Sequence, residues 1–305
     1  AKYLIYYYFY KKKAYIPDIE KLKNEKFFEQ LLIKIKNYSY LKTIKEEVYI
    51  PLIKSSINEE RSFMRALNGE YIKSGPSGAP TRGKLEVLPT GKNFFSIDTR
   101  GLPSESAWVT GLESANQILS LYKQNQGEDL KNIAISVWAT STMRNGGEEI
   151  CQILALLGVK PIWDGPTRKI VGMDIIPMTV LSRPRVDVTL RISGMFRDAF
   201  PQLINLISKA VNLIANLNED KQENPLAFEY KKNKYINRIF GSKPGSYGAG
   251  LQELISNSSW QNKKDLSEAY ISWSSWKYDE NSEAIYDKFE FEKILKKIQL
   301  VIHNQ

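Results

Sequence analysis

"NIAISVWATSTMRNGGEEICQILALLG" (Asn132–Gly158) changes its period halfway along. The first half is rich in Ile, Val and Trp, the composition of a buried strand. The second half repeats apolar positions at helical spacing, and Gly158 supplies a stop for that helix. A similar order recurs at "RPRVDVTLRISGMFRDAFP" (Arg183–Pro201), which runs on into a long helix, "FRDAFPQLINLISKAVNLIANL". Between them, "VKPIWD" and "KIVGMDIIPM" read as short strands. Strand, helix, strand, strand, helix predicts an α/β layer, with a partly parallel sheet flanked by helices.

Upstream, "PSESAWVTGLESANQILSLYKQ" predicts a helix with Ser104 as its N-cap. Residues 20–67 read as Lys-rich amphipathic helices, with "FFEQLLIKIKNY" holding the helical period, and the opening "AKYLIYYYFYKKK" reads as a buried or edge strand. Between these helices, "KSGPSGAPTRG" (Lys73–Gly83) and "VLPTGKNFFSID" (Val87–Asp98) form a turn-rich stretch, ordered by its interleaved apolar residues. The tail from Tyr235 reads as mostly helical, interrupted at "GSKPGSYGAG". The division expected is a Lys-rich helical leader over residues 1–68 and an α/β segment over 69–305.

The 305 residues carry a net charge of +9, a value that raises nucleic acid as a partner. Its distribution argues against that. Residues 1–65 hold 14 Lys/Arg against 8 Asp/Glu, whereas residues 66–227 hold 17 against 16. The excess therefore sits in the leader, away from the distinctive loops, and no zinc-finger spacing or RNP-like stretch accompanies it. No apolar run reaches the roughly 18 residues that span a bilayer. One cysteine, Cys151, excludes an internal disulfide and fits a cytoplasmic setting; it falls on an apolar helical face, as a small buried hydrophobe does.

Several chemistries lack their residues. The single histidine, His303, leaves a Ser-His-Asp triad without a base, and no HExxH or CxxC spacing exists for a metal. No GxxxxGK[ST] is present, so ATP is not bound through a P-loop. "GSKPGSYGAG" lacks the GxGxxG order and reads as turns with a close-packed helix start. What remains is a set of polar loops at strand ends. "TSTMRNGGEE" presents Ser141 and Arg144, and "LRISGMFRD" presents Arg191, Ser193, Arg197 and Asp198. Ligands of open α/β sheets lie beyond the carboxyl ends of strands, and two guanidinium forks suit a ligand with several carboxylates. On these loops alone, a salt-bridged turn accounts for the arginines equally well.

Four long segments carry a resemblance. "ALNGEYIKSGPSGAPTRGKLEVLPTGKNFFSIDTRGLPSESAW", "AISVWATSTMRNGGEEICQILALLGVKPIWD", "LSRPRVDVTLRISGMFRDAFPQLI" and "RIFGSKPGSYGAGLQELI" resemble, in order and spacing, the large subunits of aerobic cobaltochelatases, a family that includes the large subunits of magnesium chelatases. The likeness covers roughly residues 60–305, and "PSGAPTRG" and "STMRNGGEE" look like its cobalt branch. It implies a subunit that binds a tetrapyrrole, here the corrin hydrogenobyrinic acid a,c-diamide, into which Co²⁺ is inserted. Two separate AAA+-type partner subunits would hydrolyse the ATP, with Mg²⁺. The substrate-binding set it implies is Arg82, Lys92, Asn93, Asp98, Ser141, Arg144, Arg191, Ser193, Arg197 and Asp198, with no resident metal ligand and no assigned catalytic residue. Such subunits run to over a thousand residues, so this chain reads as an internal piece, doubtful as a chelatase by itself. Two alternatives stand beside this reading: porphyrin binding of the magnesium-chelatase type, and a non-catalytic scaffold that docks partner subunits.

Overall fold

The computed structural model describes residues 44–76, 78, 80, 85–95, 99–165 and 167–303. The opening strand and the "FFEQLLIKIKNY" helix expected from the sequence lie outside the described residues, as do Arg82 and Asp98. The chain divides into two compact units, Ala1–Ile97 and Asp98–Gln305.

In the first unit, helix α1 (Ile50–Leu67) continues directly from a π-helical turn (Ile44–Tyr49) and carries Pro51 in its first turn. The turn after the cis Leu88–Pro89 peptide docks on this helix. Thr90 N–H donates to Ser55 Oγ at 2.9 Å, and Ser62 Oγ donates to the Gly91 carbonyl at 2.6 Å. Gly91 has φ +80°, and a Cβ there would lie 2.5 Å from the Asn58 carbonyl carbon, so this position requires glycine. Strands β1 (Ser74–Pro76) and β2 (Asn93–Phe95) pair in parallel beside it.

The second unit opens with α2 (Glu105–Gln126), capped as expected by Ser104, whose Oγ accepts from Ala107 N–H at 3.2 Å. Next come β3 (Asn132–Val137), α3 (Ala139–Asn145), α4 (Glu148–Leu157), β4 (Val159–Trp163), β5 (Ile170–Ile175) and the short α5 (Met178–Leu181). Then follow β6 (Asp187–Ile192), α6 (Gly194–Ala199), α7 (Pro201–Ala215), α8 (Pro225–Asn233), β7 (Ile239–Gly241), α9 (Gln252–Ser256) and α10 (Lys263–Ser274). The chain ends with β8 (Trp276–Tyr278), β9 (Ala284–Tyr286), α11 (Lys288–Leu295) and β10 (Leu300–His303). The main sheet has the order β10-β3-β6-β7-β8-β9. Its first four strands run parallel, the β7–β8 and β8–β9 pairings are antiparallel, and β4 and β5 pair apart as an antiparallel ribbon. This is the mixed α/β layer expected.

Three differences have physical causes. The long helix expected from Phe196 breaks at Phe200 (φ −133°, ψ 49°), because a proline at 201 disfavours helical backbone in the residue before it. The "TSTMRN" segment is helix α3 rather than the end of a strand or a loop. The tail carries the expected helices but also β7 to β10, strands of three or four residues, too short for a period to show.

Burial follows the layering. Every residue of β6 is buried, as befits a central parallel strand covered on both faces. Helix α4 is almost wholly buried and packs against α2, where a Cβ on Gly111 would approach Cys151 Cβ to 2.5 Å. Burial, with the Glu149 and Glu148 charges adding, pushes the Cys151 thiol far above its ordinary value. The expected result of labelling with an aromatic disulfide reagent is no reaction in the native chain and one thiol titrated after denaturation; native-state labelling would contradict this packing.

The carboxyl end of α4 is closed by two arginines that the sequence did not mark out. Arg183 donates to the carbonyls of Ala155 (2.5 Å) and Leu156 (3.2 Å). Arg185 donates to those of Leu157 (3.2 Å), Gly158 (3.1 Å) and Ile176 (2.9 Å). The carbonyls of the last helical turn are those a helix end leaves without partners, and cations suit the negative end of its dipole. Burial first, and the Arg185 charge second, bring Arg183 down to about 10, so it stays protonated at neutral pH. Arg185 is itself neutralised by Glu219, through contacts of 2.7 and 2.9 Å.

Candidate functional site

Because β10, β3, β6 and β7 are parallel neighbours, their carboxyl ends lie side by side: Trp138, Ser193 and Ser242 follow the in-register residues Val137, Ile192 and Gly241, and His303, at the end of β10, lies opposite Ser136. The two loops expected to share an edge do so, with Ser193 N–H donating to the Val137 carbonyl at 3.0 Å.

After β3, Trp138 remains extended and α3 begins. The Trp138 ring lies 5.5 Å from that of His303, the end of β10, in a tilted arrangement. Arg144 is exposed, with no hydrogen bond or ion pair among the described residues. Behind it, Asn145 Nδ2 donates to Glu149 Oε2 at 2.7 Å, and its Oδ1 accepts from Gly147 N–H (2.8 Å) and Glu148 N–H (3.1 Å). The Thr142 hydroxyl meets the other oxygen of Glu149, which is only 3% exposed. Gly146 and Gly147 turn the chain with φ +78° and +88°, which explains the paired glycines of "RNGG". Ser141 is buried beside Asn145 and does not present its hydroxyl.

After β6, Ser193 caps α6, its Oγ accepting from Phe196 N–H at 3.1 Å. Arg197 grips Asp198 through Nε (2.7 Å) and Nη2 (3.0 Å), and its Nη1 points at the carbonyls of Lys243 (2.8 Å), Ser242 (3.2 Å) and Ser246 (3.3 Å). The Arg197 hydrogen bond foremost, and that of Tyr247 as well, hold the Asp198 carboxyl below its ordinary value. Arg191 is buried over Tyr270; its Nη2 donates to the Gly248 carbonyl at 2.6 Å and its Nε to Ser274 Oγ at 3.5 Å. The forks of Arg191 and Arg197 are therefore engaged within the chain. Arg191 does not pair with Asp187: four residues apart on the extended β6, the two stand about 13 Å from each other, and Arg238 holds Asp187 at 2.7 and 2.9 Å.

Of the expected set, then, Arg144 is open to solvent and the Asp198 side chain is 47% exposed, whereas Ser141, Arg191, Ser193 and Arg197 are internal. Lys92 and Asn93 belong to the first unit, where Asn93 N–H donates to the Lys73 carbonyl at 3.0 Å. On sequence alone the "GSKPGSYGAG" segment has no preceding strand to make it a site. A strand does precede it, β7, and both buried arginines reach into it.

A family described as CobN/Magnesium Chelatase matches residues 11–305. The chain belongs to the CobN/magnesium chelatase family. It is 43% identical over 259 residues to the aerobic cobaltochelatase subunit CobN of Pseudomonas aeruginosa, a match covering 80% of this chain and 21% of that protein. The H-type magnesium-chelatase subunit of Chlorobaculum parvum is 31% identical over 263 residues, 83% of this chain and 21% of that one. The solved catalytic subunit of cobaltochelatase from Mycobacterium tuberculosis superposes with a TM-score of 0.82 at 36% identity, over 92% of this chain and 25% of that one. The chain thus spans about a fifth of the length of the curated family members it matches.

Among the described residues no three His, Cys, Asp or Glu side chains are grouped to hold a metal ion, and no helix is long and apolar enough to cross a membrane. Carboxylates without imidazole support make a poor site for Co²⁺. Calorimetry of the chain with CoCl₂ is expected to show weak, non-stoichiometric heats; stoichiometric binding at about micromolar affinity or tighter would contradict this.

Proposed function

We propose that this chain is a segment of the tetrapyrrole-binding large subunit of a cobaltochelatase, and that the carboxyl edge of its sheet forms one wall of the macrocycle site. One observation carries the reading: four parallel strand ends bring Trp138, Arg144 and the Ser242–Gly250 loop to one edge of a chain closer to the cobalt subunit (43%) than to the magnesium subunit (31%).

The substrate is the corrin hydrogenobyrinic acid a,c-diamide, in the cytoplasmic synthesis of cobalamin. Co²⁺ is the substrate metal, and the reaction is a ligation that forms nitrogen–metal bonds. It requires the ring to be held, its inner N–H protons to pass to a base, and the ion to lose its water. In this division of labour the chain holds and orients. Arg144 offers a free fork to a peripheral carboxylate, where a bidentate pair fixes both position and direction. ATP, with Mg²⁺, is hydrolysed on two AAA+-type partner subunits, in keeping with a sequence that lacks a P-loop.

Fluorescence-quench titration tests the reading, with Trp138 at the edge as reporter. Saturable quenching is expected with hydrogenobyrinic acid a,c-diamide and weaker quenching with protoporphyrin. Preference for protoporphyrin would move the chain to the magnesium branch. Saturation with neither would leave the scaffold alternative.

A further inference from the structure

The loop Ser242–Gly250 is held by its carbonyls. Arg197 takes those of Ser242, Lys243 and Ser246, Arg191 takes that of Gly248, and the Tyr278 hydroxyl also donates to the Ser242 carbonyl. Ser242 Oγ adds a bond to the Ser246 carbonyl at 2.7 Å, and Tyr247 Oη donates to Asp198 Oδ2 at 2.8 Å. The amides are in the opposite condition. Among the described residues, the N–H groups of Tyr247, Gly248, Ala249 and Gly250 have no acceptor.

Gly248 (φ +80°) and Gly250 (φ +74°) alternate with residues of negative φ, ending at Leu251 (φ −104°). Alternating signs turn successive N–H groups to the inside of one concavity, a nest for an anion. Glycine is required twice: for the left-handed backbone, and at Gly250 because a Cβ there would lie 2.6 Å from the Trp273 ring. The neighbouring loop fits closely, since a Cβ on Gly194 would lie 2.6 Å from the Ser246 carbonyl oxygen. Lys243 is exposed on the same loop and adds positive charge.

We infer that the amides of Gly248, Ala249 and Gly250 form the direct contact for a carboxylate of the macrocycle, and that Arg191 and Arg197 are positioning residues acting through this loop. The inference rests on the tetrapyrrole reading above and assigns its carboxylate subsite. Two engaged guanidiniums thus serve anion recognition without touching the anion, by turning the carbonyls inward and leaving the amides free.

Nitrogen-15 TROSY spectra of the full chain test this without a variant that could misfold. Titrated with hydrogenobyrinic acid a,c-diamide, the amide protons of Gly248, Ala249 and Gly250 are expected to move downfield with the midpoint of the tryptophan quench. The Nε–H signals of Arg191 and Arg197 should stay in place. Arg197→Lys should lower the affinity about tenfold, with faster amide exchange across Ser242–Gly250 in the free protein. Acetate at the same concentrations should leave the amides unmoved; equal shifts with acetate would overturn the macrocycle assignment. Moving arginine signals beside still amides, or saturable quenching with neither moving, would overturn the inference while the tetrapyrrole reading stood. Absence of quenching would remove that reading and the inference together.

Discussion

Arg185→Ala is expected to lower the unfolding free energy by about 3–5 kcal/mol, the cost of breaking a buried pair and leaving its partner uncompensated. The side chain is 1% exposed and its partner Glu219 is 15% exposed, so water cannot replace what is lost. Three carbonyls around the end of α4 lose donors at the same time. For a unit of this size the loss corresponds to roughly 6–20 °C in melting temperature. Arg185→Lys keeps the charge but not the five-donor fork, and should recover only part. Thermal melting of the two variants checks this; a loss below about 1 kcal/mol would mean that the fork is not the anchor described. An acid limb follows from the same pair. Burial of Glu219 opposes its ionisation, but hydrogen bonds from Arg185 and Asn224 outweigh it and hold the carboxyl below its ordinary 4.5. A folded value below the unfolded one means stability fully present above about pH 4.5 and lost as the pH falls through the folded value. In the Arg185→Ala chain that limb should flatten.

The second large effect is expected at Arg197. Its side chain is 6% exposed and closes the Ser242–Gly250 loop onto α6. Arg197→Ala should weaken binding of hydrogenobyrinic acid a,c-diamide by on the order of 1.5–3 kcal/mol, roughly ten- to more than a hundredfold. The loss should exceed that of Asp198→Asn, which keeps an acceptor for the guanidinium and leaves the loop carbonyls engaged. Quench titrations, with melting followed in parallel, decide. A lower melting temperature at unchanged affinity would reduce the stretch to a buttressed turn with no part in recognition.

The sequence was legible where a single rule acts locally. Ser104 announces a helix start because its oxygen can reach the Ala107 amide, and Gly158 a helix end because it accepts φ +80°. The alternation of strand and helix from Asn132 announced the parallel part of the sheet. Legibility failed where the partner is distant. Nothing local says that Arg185 will meet Glu219, or that Arg238 will take Asp187, because each pairing closes only after the sheet has formed. The site was half visible for the same reason. Polar residues at strand mouths could be read from the strands before them, but β7 has three residues and gives no period, so its glycine loop looked like unattached turns. The guanidiniums drew attention through their charge, whereas backbone amides carry no letter in a sequence.

Hydrogen–deuterium exchange of the whole chain, with and without hydrogenobyrinic acid a,c-diamide, tests most directly whether the carboxyl edge of the sheet is the macrocycle surface. The account predicts slower exchange in three separate stretches, Trp138–Gly147, Ser193–Phe200 and Ser242–Leu251, which the strand order brings together. Segments at the amino ends of the same strands, around Lys131 and Arg238, should be unchanged. Protection confined to those amino ends, or saturable binding with no protection at the three loops, would contradict it.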